Sequence, residues 1–244
     1  MAPVFQRPVP GPRAQVWVWN RASWSAVVQD ASLRRQAGRG GGPGQADGPT
    51  GLGPERLAAR LLLRRALARA LGVAPQAVEL ASDAMGAPRV VGPRWARSWR
   101  VSMTHCAELV ACVVADGAAV GVDAEPCARQ IRCLDALARR LHPAEATWLG
   151  GQPKSERPRQ FLRLWTLKEA LGKALGLGLR MPLAASHIDP GPPVTARLLD
   201  PGRHGHWALW QVQLPSGHFL AVATEARRHN GLPQPPRVCL GLPS

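Results

Sequence analysis

The stretch Trp165-Thr-Leu-Lys-Glu-Ala-Leu-Gly-Lys-Ala-Leu-Gly176 decides how this chain is read. At about 100° per residue, Trp165, Lys168, Glu169, Gly172, Lys173 and Gly176 share one helical face. Leu167, Ala170, Leu171 and Ala174 share the other, which is an ordinary core stripe. The first face mixes an aromatic ring, a carboxylate, two ammonium groups and two glycines. A merely solvated face with a Glu169–Lys173 pair is the plain alternative. Each glycine inside a helix, however, costs about 1 kcal/mol relative to alanine. Two of them predict a face closely approached by a ligand or by another backbone.

Composition narrows the function. The 244 residues allow one large domain or two small ones, with a sizeable core. No apolar run approaches ~18 residues, so no membrane span is expected. The N-terminus lacks a secretory pattern, and the five cysteines are odd in number with no C-x-x-C, so reduced thiols in a cytoplasmic protein are expected. Cys127, Cys133 and His142 fit no common zinc spacing. The formal net charge of +15 points to an anionic partner, or in part to a bias toward arginine. Only three lysines occur, Lys154, Lys168 and Lys173, and two lie on the quoted face. That placement suggests a need for a compact ammonium.

Around this helix the chain reads as α+β. Residues 16–19 are a short β-run, and the Gly-rich residues 36–54 form a flexible loop. Residues 55–71 form an Arg-rich helix closed by Gly72. Strands are expected at 78–80, 99–105, 109–115 and 119–125, and a turn at Gly86-Ala-Pro88. Helices follow at 131–141 and from Pro143, and the quoted helix starts at about Phe161. Residues 207–224 form a hairpin, and the Pro-rich residues 227–244 read as a disordered tail.

The helices at 64–72 and 168–176 match at an offset of 104 residues, and the same offset lays 16–21 on 120–125. Two similar α+β halves, 1–117 and 118–226, are therefore expected in a pseudo-twofold arrangement with a site in the cleft between them. Asp123, Glu125 and Glu169 correspond to Trp19, Arg21 and Arg65, so the carboxylates exist in one half only.

Asp123 and Glu125, two apart on a strand, point to one face. Facing Glu169, they would repel unless a hard cation such as Mg²⁺ neutralised them. Lys168 and Lys173 beside that metal point to phosphate. Thr104 and His105 end a strand in the other half and offer a further phosphate contact.

Gly-Val-Asp-Ala-Glu at 121–125, followed by the quoted helix, resembles the paired signature of the 4′-phosphopantetheinyl transferases, in particular the larger, pseudo-dimeric, surfactin-synthetase-associated type. Ser102-Met-Thr-His105 resembles that family's Asn-x-Ser-His element, and Gly86-Ala-Pro88 its Gly-Lys-Pro turn. The resemblance covers most of residues 55–225. It implies Mg²⁺-dependent transfer of the 4′-phosphopantetheine arm of coenzyme A, the co-substrate, to a serine of an acidic acyl or peptidyl carrier protein, releasing adenosine 3′,5′-bisphosphate.

By that resemblance Asp123, Glu125 and Glu169 hold the metal, and Glu169 and Lys173 are catalytic. Gly86, Pro88, Ser102, Thr104, His105, Asp123, Lys168 and Lys173 bind coenzyme A. A monomer without nucleic-acid partners is expected, since each chain already supplies both halves. Ala87 and Ser102 depart from the family's Lys and Asn, and Arg60 or Arg64 offers a substitute cation. The competing readings are a basic nucleic-acid-binding protein, disfavoured because the tryptophans do not interleave with a basic stripe, and a family member that binds coenzyme A with little turnover.

Overall fold

The structure is a computed structural model that describes residues 14–30, 53–106, 108–191, 194–198, 206–226 and 235–243. The Gly-rich stretch expected to be a loop lies almost wholly outside these residues.

Two sheets form the centre. In the first, the order is β11-β1-β5-β4, from Arg237–Leu240, Ala14–Asn20, Leu109–Asp116 and Trp99–Cys106. In the second, the order is β6-β10-β9-β8-β7, from Val120–Pro126, His218–Ala226, His206–Gln213, Thr195–Leu198 and Ser186–Asp189. A two-stranded ribbon pairs β2 (Glu79–Ser82) with β3 (Pro88–Gly92). The antiparallel triplet β1-β5-β4 has the same order and pairing as β6-β10-β9, and the sequence offset of 104 lays β1 on β6.

The sheets meet through alternating residues. Val16 and Val18 of β1, Ala111 and Val113 of β5, Val120 and Val122 of β6, and Leu220 and Val222 of β10 share one buried cluster. Fully burying each such valine or leucine stabilises by about 1.5–3 kcal/mol. The opposite face of each sheet carries a helix, and α1 (Arg21–Trp24) is a single short turn after β1. The helix α2 (Pro54–Leu71) lays Leu62, Ala66 and Leu67 against Trp17, Val110 and Cys112. It ends at Gly72 in the left-handed region, which closes its last turn.

The helix α5 (Arg157–Ala174) lays Leu164, Leu167, Ala170 and Leu171 on Leu209, Ala221 and Ala223. It begins four residues before the expected start, with a proline in its first turn, where the missing N–H is harmless. Before it come α3 (Leu134–Ala138) and α4 (Pro143–Gly150). The helix expected over 131–141 is therefore only one turn and a half. Cys133 at φ 59° breaks it at the front, and Pro143 disfavours helical geometry at His142 behind it.

The stretch expected to be a disordered tail contains a strand. Residues 237–240 form β11, paired parallel to β1, and Gly241 N–H donates to the Val18 carbonyl at 2.8 Å. β1 would otherwise be an edge with unpaired backbone groups, and a short apolar run satisfies them. Cys239 and Leu242 join the core beneath α2. The first half thus takes its fourth strand from the end of the chain.

Candidate active site

The site forms where α5 crosses β6. Val120, Val122 and Ala124 face the inter-sheet core, so alternation turns Gly121, Asp123 and Glu125 toward α5. A Cβ on Gly121 would lie 2.0 Å from the Ala170 carbonyl oxygen and 2.6 Å from the Ala174 nitrogen. Only glycine lets strand and helix backbones approach this closely. That approach brings Lys173 to Asp123, with Nζ 2.8 Å from Oδ1 and 3.1 Å from the Val122 carbonyl oxygen.

The other two glycines serve backbone packing. A Cβ at Gly172 would meet the Gly178 carbonyl oxygen at 2.9 Å, so the chain folding back after the helix is what approaches it. Gly176 lies beyond the helix end, which corrects its expected place inside it. At φ 71° it turns the chain so that its N–H reaches the Lys173 carbonyl and Leu177 N–H that of Gly172.

Asp123 is buried. Its Oδ1 accepts from Lys173 and, at 3.0 Å, from the Thr104 hydroxyl of β4. Its Oδ2 is buried and has no hydrogen-bond partner. Glu125 is bonded by Arg129 and by Trp165. Burial pushes its carboxyl up, against the pull of Arg129. Burial raises the Glu169 carboxyl to about 7, with the negative charges of Asp123 and Glu125 adding to the rise and Lys173 opposing it. The three carboxylates therefore feel one another, although among the described residues no three acidic, His or Cys side chains are gathered into a ready metal cage. That holds equally for Cys127, Cys133 and His142. Asp123 and Glu125 are each turned toward a cation of the chain instead.

A divalent cation fits this donor set. An unpartnered buried carboxylate oxygen is costly, and a cation here would relieve the burial and the Asp123 and Glu125 charges that raise Glu169. Oxygen donors of this kind suit Mg²⁺.

Lys168 is not brought to the site, which corrects its expected role. Its side chain is fully buried and its ammonium is spent on Glu145 Oε1 at 2.8 Å, the Leu183 carbonyl at 2.7 Å and the Ser186 carbonyl at 2.8 Å. Burial lowers its pKa, against Glu145. Glu145 also accepts from Ile188 N–H at 2.7 Å and caps α4 through His142 N–H at 3.1 Å. The pair ties α4, α5 and β7 together; the sequence reading missed Glu145, as it missed Arg129 beside Glu125.

On the opposite wall, Ser102 and Thr104 are buried, and Ser102 Oγ accepts from Val122 N–H at 3.3 Å. His105 is exposed. Partial burial of its ring and the charges of Arg56 and Lys173 hold its pKa below the ordinary histidine value. Gly86 and Pro88 lie at the tip of the β2–β3 ribbon, where Asp83 Oδ1 accepts from Met85 and Ala87 N–H. Arg64 is buried and donates to the Val78 carbonyl, so it is no substitute cation. Beside Glu125, Arg129, Arg132, Leu137, Phe161 and Trp165 line a cavity of about 290 Å³. No helix among the described residues is long and apolar enough to cross a membrane.

Residues 119–223 match the family model of the 4′-phosphopantetheinyl transferase superfamily. The chain is 35% identical over 124 residues to the 4′-phosphopantetheinyl transferase HetI of Nostoc sp., covering 50% of this chain and 52% of that protein. It is 28% identical over 190 residues to a phosphopantetheinyl transferase of Thraustochytrium sp., covering 72% and 65%. It is 25% identical over 158 residues to a 4′-phosphopantetheinyl transferase of Bacillus subtilis, covering 65% and 62%. The matches thus span about half to two thirds of these relatives' lengths. The matched segment contains β6, α5, β9 and most of β10, so the similarity to these transferases lies in the part of the chain that carries the site.

Proposed function

We propose that this protein transfers the 4′-phosphopantetheine group of coenzyme A to a serine of an apo acyl or peptidyl carrier protein. The observation that carries this reading is the buried Asp123, one oxygen held by Lys173 and the other unpartnered, beside a Glu169 carboxyl raised to about 7. The proposal extends to the larger pseudo-dimeric type, acting as a Mg²⁺-dependent cytoplasmic monomer. Its support is the recurrence of one strand order in both sheets and the five free cysteines.

Asp123, Glu125 and Glu169 would hold the cation, which when bound neutralises the pyrophosphate oxygens. Glu169 takes the proton from the carrier serine, directly or through a water. The serine oxygen forms a bond to the phosphorus next to the pantetheine arm. The bond from that phosphorus to the bridging oxygen breaks, and adenosine 3′,5′-bisphosphate leaves. Lys173 stabilises the charge that collects on this leaving group. His105, whose ring feels the charge of Lys173, would contact the 3′-phosphate. Arg129 and Arg132 on the adjoining cavity suit an acidic carrier surface.

The test is mass spectrometry of an apo carrier incubated with the protein, coenzyme A and Mg²⁺. One phosphopantetheine should be added, and Glu169→Gln should abolish the addition. An unchanged mass with acyl, peptidyl and aryl carriers alike would refute the transferase reading.

A further inference from the structure

We infer that Thr104, supplied by the first half of the chain, is a positioning residue that aims the second half's Asp123 at the metal, and is not a contact for the 3′-phosphate of coenzyme A. The inference rests on the transferase reading of the site.

Strands β4 and β6 belong to different sheets and meet edge to edge without a backbone ladder. Two side chains of β4 bridge them. Ser102 Oγ accepts from Val122 N–H at 3.3 Å, and Thr104 Oγ1 donates to Asp123 Oδ1 at 3.0 Å. Both side chains are buried. A hydroxyl has one proton to give. Thr104 gives it to a carboxylate, and its remaining lone pairs can only accept. A phosphate oxygen also accepts, so while the bond to Asp123 stands this hydroxyl has no proton left for it.

The consequence falls on Asp123. The last side-chain torsion of an aspartate is broad and roughly two-fold, so its two oxygens exchange readily unless one is held. Here Lys173 and Thr104 both bind Oδ1 from different elements. Oδ2 is left buried and bare, the state a cation ligand needs before the ion arrives. Lys173 alone would not suffice, because a flexible ammonium can follow a rotating carboxylate. A hydroxyl fixed on a strand cannot. Hydrogen-bond partners that hold a metal ligand in this way are commonly worth 10- to 100-fold in metal affinity.

The experiment measures Mn²⁺ binding to the full-length protein by paramagnetic resonance, without coenzyme A, together with competition between coenzyme A and 3′-dephospho-coenzyme A. Thr104→Val should weaken Mn²⁺ binding at least tenfold, and Thr104→Ser should restore it to within about threefold. The preference for coenzyme A over its 3′-dephospho form should not change in either variant. Should Thr104→Val fail to fold, Thr104→Ala carries the same expectation.

Unchanged Mn²⁺ affinity in Thr104→Val would overturn the inference, and so would loss of the preference for the 3′-phosphate. Wild-type protein that binds no Mn²⁺ would instead overturn the metal reading on which the inference rests.

Discussion

Lys173 Nζ lies 2.8 Å from Asp123 Oδ1 and 3.1 Å from the Val122 carbonyl oxygen, so the last turn of α5 is tied to β6 at the carboxylate itself. The same ammonium opposes the rise of the Glu169 carboxyl. It is placed both to hold Asp123 and to meet a developing negative charge. Lys173→Met should therefore lower kcat for carrier modification by about 100-fold or more. A steady-state assay of coenzyme A consumption checks this, and a loss confined to KM would contradict it.

Arg129 lies four residues after Glu125 and bonds its carboxylate. A cation at the site competes with that guanidinium. The Arg129 side chain is 49% exposed, so the pair is worth only about 0.2–1 kcal/mol. Arg129→Gln should thus tighten Mn²⁺ binding, by at most about fivefold. Isothermal titration with Mn²⁺ reads this directly, and weaker binding would show that Arg129 helps the metal.

The pH dependence of stability follows from Glu169. Its folded pKa is raised to about 7 from the ordinary value of 4.5. Between these values the folded state keeps a proton that the unfolded state has lost, so this carboxyl makes stability fall as pH rises across that window. Without divalent cation, Glu169→Gln should have a higher Tm than wild type at pH 8. The gain should vanish below about pH 4.5, where both folded and unfolded carboxyls are protonated. Thermal melts at both pH values in chelator decide it.

Lys168 and Glu145 form a pair with both side chains fully buried. Removing one partner strands a charge, which costs about 3–5 kcal/mol. Lys168→Met should lose that much in urea denaturation, and adding Glu145→Gln, which removes the stranded charge but keeps an acceptor for the His142 and Ile188 N–H groups, should recover part of it. A single variant as stable as wild type would contradict the pairing.

The site was legible where periodicity and local spacing decide it. Alternation on β6 put Asp123 and Glu125 on one face, and the helical repeat put Glu169 beside Lys173. Lys168 was not legible, because its partner Glu145 lies on another helix and nothing local distinguishes a buried ammonium from a ligand-binding one. A glutamate three residues after His142, where Pro143 starts a helix, was the available signal. Gly172 was read correctly as a point of close approach, which is made by the Gly178 backbone, but Gly176 was not, since nothing lies within 4 Å of a Cβ placed there. The closest approach of all, Gly121 against the α5 backbone, was not read from the sequence. The strand β11 was missed because the prolines before it outweigh four residues, Arg-Val-Cys-Leu, whose pairing depends on an edge 222 residues away in the chain. Thr104 was placed at the site by resemblance, and there its hydroxyl donates to Asp123, a partner that the sequence did not indicate.

The central claim is that the carboxylates at 123, 125 and 169 share one divalent ion in the presence of coenzyme A. The most direct measurement is an anomalous difference map from crystals grown with coenzyme A and Mn²⁺. The account expects a single strong peak within coordination distance of Asp123 Oδ2 and of carboxylate oxygens from Glu125 and Glu169, with Glu125 released from Arg129. Coenzyme A bound with no peak there, or a peak that leaves Glu169 out of reach, would contradict it.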